Sequence, residues 1–139
     1  MKLGNMSVPG DCEKISPTIS KVGNKWTVLT ILILSEGPKR YNQMRREIES
    51  ISQRMLTVTL RGLERDGLVS RRVIADRNPV AVEYSLTELG RTLIPTLFAL
   101  CHWSASNTDL IEQNQRRFDG IEDDGDGGTS SSPQLETDA

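Results

Sequence analysis

Apolar residues recur along this chain with two different periods, and the places where the period changes outline its elements. From Ile15 to Val22 the chain is half apolar. Proline is tolerated in a first helical turn, so this pattern predicts a short helix starting near Pro17 and punctuated by Gly23-Asn24. Trp26 to Leu34 is apolar on every side, which marks a central, buried helix. Glu36-Gly37-Pro38 stops it. Between Tyr41 and Glu49 the apolar positions Tyr41, Met44 and Ile48 lie three and four apart and predict a short amphipathic helix. Ser50-Ile51-Ser52 is then a tight connection. The Ser52 hydroxyl is suited to accept an orphan amide of the next turn. That next helix is predicted over 53–66, with Gly67 in the left-handed position past its end.

At Leu68 the period shifts. Leu68 to Ile74 is rich in β-branched residues, and Asp76-Arg77-Asn78-Pro79 reads as a turn. Val80, Val82, Tyr84 and Leu86 alternate with Ala81, Glu83 and Ser85, so the second strand of this hairpin has one apolar face. From Thr87 a last helical region carries Leu89, Leu93, Leu97, Leu100 and Cys101 on one stripe. Pro95 kinks or splits it, and the helical pattern runs to about Arg117. The order is helix, helix, helix–turn–helix, hairpin, long helix. The expected fold is therefore mainly α with a small β-hairpin wing, the winged helix–turn–helix plan.

Composition narrows the functional classes. With 139 residues and only six Phe, Trp or Tyr, the core is small and aliphatic, which disfavours a large enzyme with a deep cleft. The net charge of −2 conceals a split. All 17 basic residues precede Phe118, and residues 1–118 hold 12 acidic ones, whereas residues 119–139 hold seven acids and no base. Residues 1–118 are thus expected to form a basic domain. Residues 119–139 form an acidic, Gly/Ser-rich tail of disordered type, either a solubilising extension or a polyanion competing for the basic body. The tail lacks the spacing of an EF-hand loop.

The start shows no signal-peptide pattern, and the longest apolar run falls well short of the ~20 residues of a membrane span. Two cysteines, Cys12 and Cys101, are too few for a disulfide framework. A cytoplasmic protein with free thiols and no membrane partner is expected. His102 is the only histidine, so no zinc set can be assembled, and no Gly-rich phosphate loop or partnered nucleophile is visible. No catalytic residue, metal or cofactor is expected.

The chemistry concentrates on the helix over 53–66. At 100° per residue, Leu56, Leu60 and Leu63 fall within about 60° of one another and would anchor the helix to the core. The opposite side holds Arg54, Val58, Arg61 and Arg65, with Thr57 at its border and Ser52 and Gln53 at its start. A major groove admits one α-helix, and an arginine can bond a guanine edge with two parallel hydrogen bonds. Thr57 and Val58 suit a thymine methyl, whereas Arg65, near the C-terminal end, suits a phosphate.

Lys39, Arg40, Arg45 and Arg46 flank the preceding helix, and Arg71, Arg72 and Arg77 lie on the hairpin. From Lys39 to Arg77 there are ten basic and five acidic residues, an excess that attracts phosphates and makes binding strongly salt-dependent. Any one of these residues alone would read as a solvated charge; the cluster on one plan carries the argument.

Five segments bear a family resemblance. They are Gly23-Asn24-Lys25-Trp26-Thr27, Gly37-Pro38-Lys39-Arg40-Tyr41-Asn42-Gln43-Met44, Ile51-Ser52-Gln53-Arg54-Met55-Leu56-Thr57, Leu63-Glu64-Arg65-Asp66-Gly67-Leu68-Val69 and Glu83-Tyr84-Ser85-Leu86-Thr87-Glu88-Leu89-Gly90. In this order they resemble the HxlR family of small bacterial and archaeal transcriptional regulators, related to the MarR group. The resemblance covers roughly Cys12 to Trp103.

It implies a sequence-specific, homodimeric repressor or activator bound to double-stranded DNA at a pseudo-palindromic operator. It also implies dimerisation through the N- and C-terminal helices, the helix over 53–66 in the major groove and the wing in the flanking minor groove. It leaves room for a small-molecule effector. Cys12 sits where the family often has an N-terminal cysteine that in some members senses electrophiles or oxidants. Here Glu13 replaces the proline that frequently follows. A thiol-based switch through Cys12 is one alternative reading; a protein-interaction module with a vestigial DNA face is another.

Overall fold

The computed structural model describes residues 12–125 continuously, together with residues 2–3, 5–7 and 10; the side chains of residues 2–3, 6–7, 12–13 and 121–125 lie outside the description. Its elements run β1 (Lys2–Leu3), β2 (Met6–Ser7), α1 (Cys12–Val22), α2 (Lys25–Leu34), β3 (Lys39–Arg40), α3 (Tyr41–Glu47), α4 (Gln53–Arg65), β4 (Val69–Ile74), β5 (Ala81–Leu86), α5 (Glu88–Arg91) and α6 (Ile94–Gly125). The chain divides into two compact units, residues 1–98 and residues 99–139.

Within the first unit, α2 is central, as its all-round apolar sequence requires. Val28, Ile31 and Leu34 are buried, and Asn24 caps the helix by accepting a hydrogen bond from the Trp26 amide at 2.9 Å. It packs against α1, α3, α4 and β5, and Met44 of α3, Leu56, Leu60 and Leu63 of α4, Val69 and Leu86 of the sheet, and Leu97 are likewise buried. The α3–α4 connection contains Ser50 at φ 72°, a left-handed backbone that a non-glycine residue adopts only at a cost. Gly67 ends α4 at φ 76°, the left-handed position where a side chain would be strained.

β4 and β5 pair antiparallel from Val69↔Leu86 to Ile74↔Ala81 and form the wing. The hairpin becomes a three-stranded sheet, order β3-β5-β4, because Lys39 and Arg40 pair with Tyr84 and Glu83. A two-residue strand is too short to show a period, so β3 is absent from the sequence pattern. At the base of the wing, Gly90 lies so close to the Leu68 carbonyl that an added Cβ would sit 2.1 Å from its oxygen. Only glycine permits that approach. The Thr87 hydroxyl caps α5 by accepting from the Gly90 amide at 3.1 Å.

Two expected boundaries move. Helix α1 starts at Cys12, not near Pro17, which lies inside it. Pro17 lies beyond the four free amides of the helix start, so it forfeits one helical bond and crowds the carbonyl four residues back, a cost that the helix as a whole absorbs. Helix α6 continues through Gly125, past the expected end near Arg117, since each residue added to a nucleated helix gains a bond. The acidic stretch beyond it, residues 126–139, lies outside the described residues. Pro95 does separate two helices: α5 ends at Arg91 and α6 opens at Ile94, placing Pro95 in its first turn.

In the second unit, α6 leaves a row of large apolar side chains in solvent: Leu100, Trp103, Leu110, Ile111 and Phe118. No helix among the described residues is long and apolar enough to cross a membrane.

Candidate nucleic-acid interface

Helix α4 is positioned at its start by two groups. Ser52 caps it, its hydroxyl accepting from the Met55 amide at 3.0 Å. The Tyr41 hydroxyl of α3 donates to the Gln53 carbonyl at 2.8 Å and lies 3.0 Å from Thr57 Oγ1. The first turn of α4 is thereby fixed against α3, with Gln53 and Thr57 in the lock. Sequence reading misses this link, because Tyr41 looks like one more apolar position of its helix.

With Leu56, Leu60 and Leu63 buried, the opposite face is outward. Arg54, Arg61 and Arg65 are exposed, and Val58 keeps 58% of its surface in solvent. Among the described residues neither Arg54 nor Arg61 has an acidic partner within ion-pair distance. Arg65 is set apart from them. It borders a cleft of about 560 Å³ between α1, the end of α4 and α5, where Lys21 pairs with Asp66 at 2.6 Å.

On the wing, Arg71, Arg72 and Arg77 are exposed; Arg72 reaches Glu83 across the hairpin at 3.4 Å. Arg40 and Arg45 are exposed as well.

Lys39 is not at this surface. β3 turns it inward while its neighbour Arg40 points out, leaving Lys39 only 5% exposed. Its ammonium sits 2.6 Å from Glu47 and 3.3 Å from Glu36. The hydrogen bond to Glu47 lifts its pKa above the ordinary lysine value, and burial only partly opposes this. An ammonium so enclosed is a tie between β3, α3 and the end of α2. The expectation that Lys39 contacts DNA is corrected here; the missing signal was the inward register of a strand two residues long.

Cys12 opens α1, and its side chain is outside the described set. Cys101 is a free, half-buried thiol on α6. No cluster of three or more potential metal ligands occurs among the described residues.

An N-capped helix, cationic on its outer face, follows a short helix and precedes a basic β-hairpin. The HxlR-like helix-turn-helix family model matches residues 21–120, the stretch containing all of these parts. The chain belongs to the HxlR-like family. It is 46% identical over 95 residues to YybR of Bacillus subtilis, an HTH-type transcriptional regulator, covering 68% of this chain and 75% of that one.

Among solved structures it resembles the redox regulator HypR. The oxidized form matches at 45% identity and TM-score 0.63 over 68% of this chain and 96% of that one. The reduced form matches at 44% identity and TM-score 0.65 over 72% and 98%. A putative transcriptional regulator, YtfH of Salmonella typhimurium, matches at 31% identity and TM-score 0.67 over 73% and 89%. This HxlR-like chain is a winged helix–turn–helix transcriptional regulator that binds DNA.

Proposed function

We propose that the protein works in the cytoplasm as a homodimer on a pseudo-palindromic operator, with one α4 in each of two major-groove half-sites. The observation that carries this is the outward face of α4, where Arg54 and Arg61 are exposed with no acidic partner among the described residues. Ser52, Gln53, Thr57 and Val58 lie toward the start of that helix, the end that meets base edges in this motif. Arg71, Arg72 and Arg77 on the wing, with Arg40, Arg45 and Arg65, address phosphates.

Dimerisation accounts for the exposed row on α6, where Trp103 keeps 58% of its surface in solvent. Soluble chains seldom leave a continuous apolar stripe uncovered. An effector, if one acts, would bias the spacing of the two reading heads.

Selection of bound duplexes from a random pool tests the whole reading. Enriched sequences should contain two inverted half-sites whose centres lie about 10–10.5 base pairs apart or a multiple of that. Enrichment of single, unpaired sites would remove the dimer. Trp103→Asp should shift the sedimenting species to the monomer.

The likeness to HypR, a redox regulator solved in both states, favours a second reading in which Cys12 switches DNA binding. Oxidant titration of operator binding should affect the native protein and spare Cys12→Ser. Equal responses would rule the switch out.

A further inference from the structure

Tyr41 opens α3 half-buried, and its hydroxyl meets two oxygens of α4, the Gln53 carbonyl at 2.8 Å and Thr57 Oγ1 at 3.0 Å. Arg40, the residue before it, is paired with Glu83 of β5. The tyrosine is therefore anchored through the backbone on one side and through its hydroxyl on the other.

The three oxygens share two protons. A carbonyl only accepts, so the phenol proton goes to Gln53. The phenol has no second proton, and its contact with Thr57 is a bond only if the threonine donates. A hydroxyl that is itself donating is a better acceptor, so the two bonds reinforce each other. A helical serine or threonine ordinarily turns its proton to the carbonyl four residues back, as Ser104 and Thr108 do on α6. For Thr57 that carbonyl is Gln53, where the phenol already donates. Thr57 is nevertheless exposed, at the border of the outward face of α4.

We propose that Tyr41 sets base specificity by withholding the Thr57 proton from DNA, leaving Thr57 as an acceptor and a methyl contact. The inference rests on the DNA-binding reading, with the first turns of α4 at base edges, and deepens it. A free hydroxyl both donates and accepts, so it suits any base edge. A hydroxyl committed to Tyr41 offers only a lone pair. Adenine N6 and cytosine N4 can donate to that lone pair, and the methyl suits thymine. Guanine presents acceptors alone in the major groove and is refused. The same bond selects one of the two rotamers open to a helical threonine, so the methyl has one direction. A positioning residue that touches no base thus decides what its neighbour reads.

The test is selection from a random duplex pool with the full chain as native protein, Tyr41→Phe, Thr57→Val and the double variant. Thr57→Val marks the base that Thr57 meets, as the position where its profile departs from the native one. Native protein should deplete guanine there. In Tyr41→Phe the proton falls back on a carbonyl that already serves the helix and can release it to guanine. Guanine at that position should rise about three- to tenfold, the range of one neutral hydrogen bond. In the Thr57→Val background the Tyr41→Phe change should leave the profile as it is. Thr57→Ser, which keeps the bond to Tyr41 and removes the methyl, should lose thymine there and still refuse guanine.

An unchanged guanine frequency in folded Tyr41→Phe overturns the proposal, and a uniform loss of affinity with no preference moved assigns Tyr41 to support of the fold. A Thr57→Val profile equal to the native one at every position overturns it too, by keeping Thr57 off the bases. If Tyr41→Phe does not fold, guanine admitted by Thr57→Ser is the overturning result. Native protein that enriches no sequence overturns the DNA-binding reading itself, a failure distinct from all of these.

Discussion

Two kinds of cation stand side by side in this regulator. Lys39 and Arg40 are adjacent on β3, yet one is enclosed by Glu47 and Glu36 and the other lies open on a cleft beside the wing. The contrast extends across α4, whose leucines are sealed in while Arg54 and Arg61 face solvent without acids. Inside, charge is neutralised by the chain itself, because an unpaired buried ion is costly. Outside, the neutralising partner is left for another molecule to supply. A base's nearest acid, rather than its place in a basic cluster, separates a structural cation from a recognising one.

That contrast can be broken in four places. Leu60→Ala should have the largest effect, a drop in stability of about 2–5 kcal/mol in denaturant unfolding, since it opens a cavity under α4. Arg54→Ala should leave unfolding unchanged and cost about 1–3 kcal/mol of operator discrimination in competition gel shifts. A fall in stability with discrimination intact would place Arg54 on the structural side. Glu47→Gln should cost about 1–2 kcal/mol of stability, the lower end for a buried pair because Glu47 is partly exposed and Glu36 remains. Glu83→Gln, which breaks the solvated pair with Arg72, should cost no more than about 0.5 kcal/mol.

Alkaline titration sharpens the inner half of the comparison. The Lys39 ammonium has a folded pKa above its ordinary 10.5. Its pairing therefore stabilises the fold fully below that value, and the contribution disappears as pH climbs through the raised one. Lys39→Met should flatten the alkaline fall in stability seen by circular dichroism. An unaltered profile would mean that the pair contributes nothing.

How much was legible beforehand follows the same division. Features set by local rules stand where the pattern places them: the Ser52 cap, the left-handed Gly67, the buried leucines of α4, the break near Pro95, and the hairpin itself. What escaped depended on partners far along the chain. Lys39 is inward only because β3 adds to β5, forty-odd residues later, and brings it under Glu47. The Tyr41 hydroxyl is a positioning group only because α4 doubles back over α3. The helix start at Cys12 escaped because one forfeited amide bond is outweighed by the turns on either side of Pro17.

Ser50 offers a different kind of leverage. Its backbone is wound the wrong way for an L-residue, in an exposed connection. The bend between α3 and α4 is thus held slightly above its relaxed energy, like a spring kept under light load. Easing it with glycine would gain up to about 1 kcal/mol, less the flexibility glycine adds to the unfolded chain. A sturdier regulator is therefore attainable by editing a hinge and leaving the reading head alone.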